Sequence, residues 1–171
     1  MRNRRDRVPS KTLRKRVLIV LSIVLIVTGL DQWTGWWARH HLTQDRETWV
    51  IHPIFGFQLL YNRGATLGIG ARWPDLVTAV GILGTLFLAW WAMTHKSLSL
   101  PLSVMAGGAL GNVLSRLVTG SVTDFIRIMG WPGIFNLADV ALRLGGLWLV
   151  IKLLTAGRLK SPGLLRHGHR S

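Results

Sequence analysis

Four apolar runs constrain the fold of this chain more than any other feature. They cover residues 17–38, 76–93, 98–118 and 134–151. Each is close to the roughly 20 residues that a helix needs to cross the hydrocarbon core of a bilayer. Only 16% of the residues are charged, below the roughly 25% typical of soluble domains. The sequence therefore predicts an all-α polytopic membrane protein with four transmembrane helices.

The basic residues predict how these helices are oriented. The chain has 21 Lys and Arg residues against 7 Asp and Glu, and the basic residues are concentrated near both ends. Because basic residues accumulate on the cytoplasmic side of membrane proteins, we expect both termini to be cytoplasmic. The predicted divisions are a basic tail at 1–16, one membrane domain at 17–152 and a second basic tail at 153–171. Tails beside apolar runs favour membrane phospholipids over nucleic acid as their partner.

The outer loop at about 39–73 contains strand signals. WVI at 49–51 and FQLLY at 57–61 flank the turn-prone sequence HPIFG. Short β-branched and aromatic runs around a turn are typical of paired strands. We therefore expect a small β-rich extracytoplasmic element between helices 1 and 2.

Three of the seven acidic residues lie in or against apolar runs. They are Asp31, Asp124 and Asp139, and the predicted topology brings all three to the outer face of the membrane. A charged side chain within a membrane helix is costly and usually faces a cavity or a partner. Each carboxylate could instead cap a helix or pair with an arginine, and for Asp31 this structural alternative remains open. For Asp124 and Asp139 together a functional role is favoured.

The sequence GGALGNVLSRLVTGSVTDFI at 107–126 adds uncharged polar groups and an arginine to this region. Residues at spacings of three and four share one face of a helix. By this rule one face of the third run contains Gly108, Asn112, Ser115 and Thr119, with Arg116 at its border. Asn136 and Asp139 share a face of the fourth run. The spacing predicts a buried polar site.

Two carboxylates in one site indicate a particular chemistry. Like charges a few ångströms apart cannot both ionise easily, so the pair shares a proton. The ionised partner can take a proton from water while the protonated partner polarises a carbonyl group, as in aspartic peptidases. A metal site is disfavoured, since the chain has no cysteine and its adjacent His40 and His41 point apart on a helix.

Four blocks of this chain resemble the lipoprotein signal peptidase, or signal peptidase II, family. DQ at 31–32, NRGATLG at 62–68, the 107–126 block and FNLADVALRLG at 135–145 match in order and spacing. The resemblance implies a catalytic pair, Asp124 and Asp139. It implies substrate-binding or pair-supporting roles for Asn62, Gly64, Asn112, Arg116 and Asn136. Asp31 and Gln32 match positions of structural polar residues.

The resemblance also implies substrate and location. Family members cut prolipoproteins on the amino side of a diacylglyceryl-modified cysteine. The implied location is the bacterial cytoplasmic (inner) membrane, with the active site near the outer leaflet. Diacylglyceryl-modified prolipoproteins and phospholipids are the expected partners of a monomer, and neither a metal nor an organic cofactor is implied.

Three residues depart from the family pattern. Ser115 stands where the family usually has Asp, Gly35 where it usually has Lys, and Arg143 where it has apolar or small residues. Arg143 lies four residues after Asp139, so an ion pair holding Asp139 ionised is expected. The first two departures motivate an alternative, a divergent non-catalytic member that binds lipoprotein signal peptides. A small transporter or channel subunit is a third possibility, disfavoured because the chain has no internal repeat.

Overall fold

Four helices form the body of the protein, which we describe from a computed structural model covering residues 10–158. They are α1 (Ser10–His41), α2 (Pro74–Thr94), α3 (Ser99–Thr119) and α4 (Leu137–Arg158). Most of the two predicted basic tails lies outside the described residues. Within the described residues, three helical segments are long and apolar enough to cross a membrane: 13–41, 74–94 and 96–119. The remaining helix, α4, is not among them and contains Asp139, Arg143 and Lys152.

The helix α3 is central and packs against α1, α2 and α4. Its glycines allow the two close approaches that shape the site. A Cβ atom at Gly107 would lie 2.7 Å from the Cβ atom of Val27 on α1. A Cβ atom at Gly108 would lie 2.6 Å from the carbonyl oxygen of Ala138 on α4. Such distances leave no room for a methyl group, so both neighbours contact the α3 backbone directly.

The outward faces of the helices are apolar. Leu25 on α1 is 66% exposed and Leu83 on α2 is 67% exposed, and most of their exposed neighbours are also large apolar residues. Soluble proteins rarely expose apolar patches of this extent. These surfaces therefore fit a hydrocarbon environment.

A three-stranded antiparallel sheet covers one end of the helices. Its strands are β1 (Glu47–Ile51), β2 (Phe55–Asn62) and β3 (Val122–Ile128), in the order β1-β2-β3. The β-rich element expected between helices 1 and 2 is present as β1 and β2. Its third strand was not predicted: β3 comes from the segment between α3 and α4, in which no strand signal was identified. An isolated pairing of Ile126 with Phe135 continues the sheet towards the start of α4.

Candidate active site

The two candidate catalytic acids come from different kinds of element. Asp124 is on β3, opposite Leu60 of β2, and is 2% exposed. Asp139 is in the first turn of α4 and is half-buried. The pairing of Ile126 with Phe135 holds the start of α4 against β3. As a result both carboxyl groups line one cavity of about 410 Å³.

Two asparagines connect these acids. Asn136 Nδ2 donates to Asp124 Oδ1 at 3.0 Å and to Asn112 Oδ1 at 2.9 Å. Asn112 Nδ2 donates to Asp139 Oδ1 at 3.1 Å. Asn136 is also the N-cap of α4, since its Oδ1 accepts a hydrogen bond from the backbone N–H of Asp139 at 2.8 Å. One continuous chain of hydrogen bonds therefore fixes the position of each carboxylate relative to the other.

The end of β2 and the loop that follows it supply the next contacts. Asn62 Nδ2 donates to Asp124 Oδ2 at 3.1 Å, while Asn62 Oδ1 accepts from the backbone N–H of Gly64 at 2.9 Å. A Cβ atom at Gly64 would lie 2.5 Å from the backbone of Gly68, so the loop closes only with glycine there. Arg116 donates to the carbonyl oxygens of Gly64 and Asn112. It thereby ties α3 to this loop at the edge of the cavity.

Burial changes the acidity of Asp124. It raises the pKa of the Asp124 carboxyl from its ordinary 3.8 to about 7, because the charged form loses its hydration. A hydrogen bond from Asn62 opposes the rise, and the negative charge of Asp139 adds to it. A carboxyl group with this pKa exchanges its proton near neutral pH, as a general acid must.

Asp31 and Gln32 lie behind the cavity and do not line it. Asp31 is 4% exposed, and its Oδ1 accepts a hydrogen bond from the backbone N–H of Ala138 at 2.8 Å. Gln32 Nε2 donates to Asp31 Oδ2, to the carbonyl oxygen of Gly111 and to Ser115 Oγ. These bonds join α1 to the first turn of α4 and to α3. This geometry favours a structural role for Asp31, as the cap of the first turn of α4.

Two departures from the family pattern also lie on that side. The polar residues of α3 do not share one direction as the spacing predicted: Asn112 faces the cavity, whereas Ser115 faces Gln32 on α1. Gly35 leaves space next to Arg39, whose Nη1 donates to Thr123 Oγ1 at 2.9 Å. Our sequence reasoning missed Arg39. Arg39 could have been identified from its spacing: it lies four residues after Gly35, so it places a cation one helical turn beyond the position at which the family usually has lysine.

The expected ion pair between Arg143 and Asp139 is not formed. Among the described residues the structure has one ion pair, between Arg127 and Glu47. The Arg143 guanidinium instead lies over Phe135 and Trp131, with its carbon 4.9 Å and 5.4 Å from the two ring centroids. Cation–π attraction and aromatic packing outcompete the local pair.

Apolar residues missed by the sequence reasoning line most of the cavity. On the α2 side and in the preceding loop they include Leu67, Ile69, Leu76, Val77 and Val80. Because α2 and α4 each pack on α3 with the cavity between them, the site has apolar walls around a polar floor. Within residues 10–158 no three His, Cys, Asp or Glu side chains come together as a metal site.

Comparison with known proteins gives a consistent set of similarities. The sequence model of the family described as Signal peptidase (SPase) II matches residues 23–155. The lipoprotein signal peptidase of Burkholderia thailandensis is 38% identical over 151 residues, covering 76% of this chain and 84% of that protein. That of Xanthomonas oryzae pv. oryzae is 35% identical over 148 residues, covering 78% and 87%.

Two solved structures have a similar fold, and both are described as bacterial membrane enzymes solved by the in meso method. The structure at 2.3 Å resolution has a TM-score of 0.77 and 25% identity, and the match covers 86% of this chain and 94% of the other. The structure at 1.9 Å resolution has a TM-score of 0.70 and 27% identity, with 80% and 92% covered.

Proposed function

The chain belongs to the signal peptidase II family, and from this premise we propose that it is a membrane aspartyl endopeptidase of the bacterial cytoplasmic membrane. Family membership supports a protease that removes signal peptides from prolipoproteins. The proposed scissile bond is the one on the amino side of the diacylglyceryl-modified cysteine. The observation that carries the proposal is the hydrogen-bond chain from Asp124 through Asn136 and Asn112 to Asp139.

The proposed mechanism uses one proton shared by the two acids. Asp124, with its raised pKa, holds that proton and donates it to the carbonyl oxygen of the scissile bond. Asp139 takes a proton from water, whose oxygen attacks the carbonyl carbon to form a gem-diol. When the C–N bond breaks, the leaving nitrogen takes the proton from Asp139. A gem-diol hydroxyl proton returns to Asp124 and restores the starting state.

The lining of the cavity is suited to a lipid-anchored substrate. Its apolar walls suit acyl chains and the apolar part of a signal peptide, and its polar floor suits the bond to be cut. We propose that α4 crosses the membrane as a fourth span, with its charged Asp139 and Arg143 directed at the cavity rather than at lipid. Both termini are then cytoplasmic, and the two acids lie near the outer leaflet.

A cleavage assay tests the proposal. The purified protein is mixed with a diacylglyceryl-modified prolipoprotein in detergent, and loss of the signal peptide is followed by gel shift. Asp124→Asn and Asp139→Asn are expected to abolish cleavage while remaining folded. Asp75→Asn, which removes an exposed acid at the start of α2, is the matched control and is expected to cleave normally. Cleavage by both active-site variants would refute the two-acid mechanism, and binding without turnover by the wild type would favour the non-catalytic alternative.

A further inference from the structure

Arg143 is a charged residue in an otherwise apolar wall of the cavity. It lies one helical turn after Asp139 on α4, and its neighbours in that wall include Pro132, Ile134 and Leu142. No described residue forms an ion pair with it. A guanidinium group has five N–H donors and no acceptor, so it requires partners that supply oxygen atoms.

The hydrogen-bonding capacity of this guanidinium is not used within the described part of the chain. Its Nη1 is buried, and no described residue accepts a hydrogen bond from it. Leaving a buried donor without an acceptor is costly, and native structures rarely do so without a functional reason. Because Arg143 also lines the cavity, a ligand bound there can supply an acceptor to this guanidinium.

The aromatic contacts of Arg143 hold the group in place. Phe135 is 6% exposed and is fixed to β3 by the pairing with Ile126, so the ring under the guanidinium is itself immobilised. Trp131 contacts the same guanidinium from the loop before α4. A planar cation stacked on rigid rings is pre-organised for directional hydrogen bonding. Binding an acceptor then costs little additional ordering.

The distance from the catalytic acids limits what the acceptor can be. Four residues of α-helix correspond to an axial separation of roughly 6 Å between Asp139 and Arg143. An extended peptide advances about 3.3 Å per residue, so a backbone carbonyl about two residues from the scissile bond spans that separation. The ester carbonyls of a diacylglyceryl group attached to the adjacent cysteine are at a comparable reach.

We propose that Arg143 is a substrate-binding residue that donates a hydrogen bond to a carbonyl oxygen of the lipidated substrate, from either the signal-peptide backbone or the diacylglyceryl ester. This inference rests on the proposed function for its substrate, but it concerns a residue at which the chain departs from the family pattern. A site that offers a buried donor rejects analogues without the matching acceptor. Arg143 therefore makes this protein more selective for that carbonyl than a relative with an apolar residue there.

The test combines protein variants with substrate analogues. Arg143→Met removes the donor, Arg143→Lys keeps the charge, and Arg72→Met removes an exposed arginine outside the cavity as the matched control. The substrates are a diacylglyceryl prolipoprotein peptide, its dialkyl ether analogue, and an analogue with an (E)-alkene in place of the amide two residues upstream of the scissile bond. kcat and KM are measured for each pair.

With the normal substrate, Arg143→Met is expected to lower kcat/KM by about tenfold, mainly through KM, because a hydrogen bond from a charged donor is lost. Arg143→Lys is expected to restore part of this loss, and Arg72→Met is expected to remain within about twofold of wild type. For one of the two analogues, kcat/KM with the wild type should be about tenfold lower than for the normal substrate. With that analogue Arg143→Met should cause no further loss, which identifies the carbonyl that Arg143 contacts. Equal activity of Arg143→Met and wild type, or losses that simply multiply for both analogues, would overturn the inference.

Two further measurements separate misfolding and loss of catalysis from loss of binding. The melting temperature of Arg143→Met is expected to stay near that of wild type, since the variant removes an unsatisfied buried donor but also the contacts with Phe135 and Trp131. If that variant does not fold, the comparison is made with Arg143→Lys. Binding of the lipopeptide is also measured in the Asp124→Asn background, with and without Arg143→Met. If Arg143→Met weakens binding in that background but the wild type does not cleave, the proposed function is rejected and the role of Arg143 in binding is kept. If the wild type cleaves normally but Arg143→Met leaves binding unchanged, the proposed function is kept and the role of Arg143 is rejected.

Discussion

Replacing Asn136 by alanine tests the hydrogen-bond chain between the two acids most directly. The change removes one donor from Asp124 and one from Asn112, together with the side-chain acceptor for the N–H of Asp139. Asp124 keeps only its hydrogen bond from Asn62, and Asn112, which donates to Asp139, is no longer connected to Asp124. Because Asn136 is 2% exposed, water cannot easily replace the amide.

The magnitude follows from these contacts. A hydrogen bond to a charged group contributes about 1.5–3 kcal/mol, and an unsatisfied buried partner costs about 1–3 kcal/mol more. We expect about 2–4 kcal/mol less transition-state stabilisation, which is roughly a 30- to 900-fold decrease in kcat. Loss of the N-cap should also lower the free energy of unfolding by about 1 kcal/mol.

The assay is initial-rate cleavage of a fluorogenic diacylglyceryl peptide, with thermal unfolding as the check on folding. Ser103→Ala is the matched control, since it deletes a fully buried polar group of α3 whose hydroxyl donates to the Ser99 carbonyl, away from the two acids. It is expected to stay within about twofold of wild type. A folded Asn136→Ala protein with kcat within about threefold of wild type would refute the reasoning that this asparagine positions the acids.

Three other predictions follow from the same geometry. Because the pKa of Asp124 is raised to about 7, its protonated form is present below that pH and is lost above it. We therefore expect kcat/KM to fall as pH rises through about 7. A pH–rate profile that stays flat to about pH 9 would contradict the assignment of Asp124 as the general acid. Gly108→Ala should push α4 away from α3, costing about 1–3 kcal/mol of stability and lowering activity. The control Gly84→Ala, with no atom within 4 Å of the new Cβ, should leave the melting temperature unchanged or raise it. Equal melting temperatures for the two variants would count against close packing of α3 and α4. Ser115→Asp should lower the melting temperature by placing a second carboxylate beside that of Asp31 on α1. Adding Gly35→Lys should restore the melting temperature. Full stability of the single variant would show that the departures at Ser115 and Gly35 are independent.

Local patterns in the sequence were enough to place the helices and two of the strands. The predicted apolar runs fall within or nearly within the observed helices, because hydrophobic length is a property of contiguous residues. The strand β3 was missed since its partner β2 precedes it by about sixty residues, and pairing over that distance depends on tertiary contacts. The same non-local pairing brings Asn62 to Asp124, so that contact was not predictable from spacing.

The candidate site shows a similar division. Grouping Asp124 with Asp139 required only topology and the rule that charges in membranes face a cavity. The direction of Arg143 required more, because the i,i+4 rule considers one helix alone. Two rings from the preceding segment offer the guanidinium a competing surface, and neither ring is on α4.

The hydrogen bond from the Ala138 backbone to Asp31 has a consequence for the order in which the protein is made. The two partners are 107 residues apart, so the ribosome synthesises the acceptor long before its donor exists. The last helix cannot take its final position until it meets the first, and the second acid lies one residue beyond this bond. A nascent or truncated chain in the membrane therefore has no assembled pair of acids. The candidate site is therefore assembled late, once α4 has been synthesised and has packed against α1.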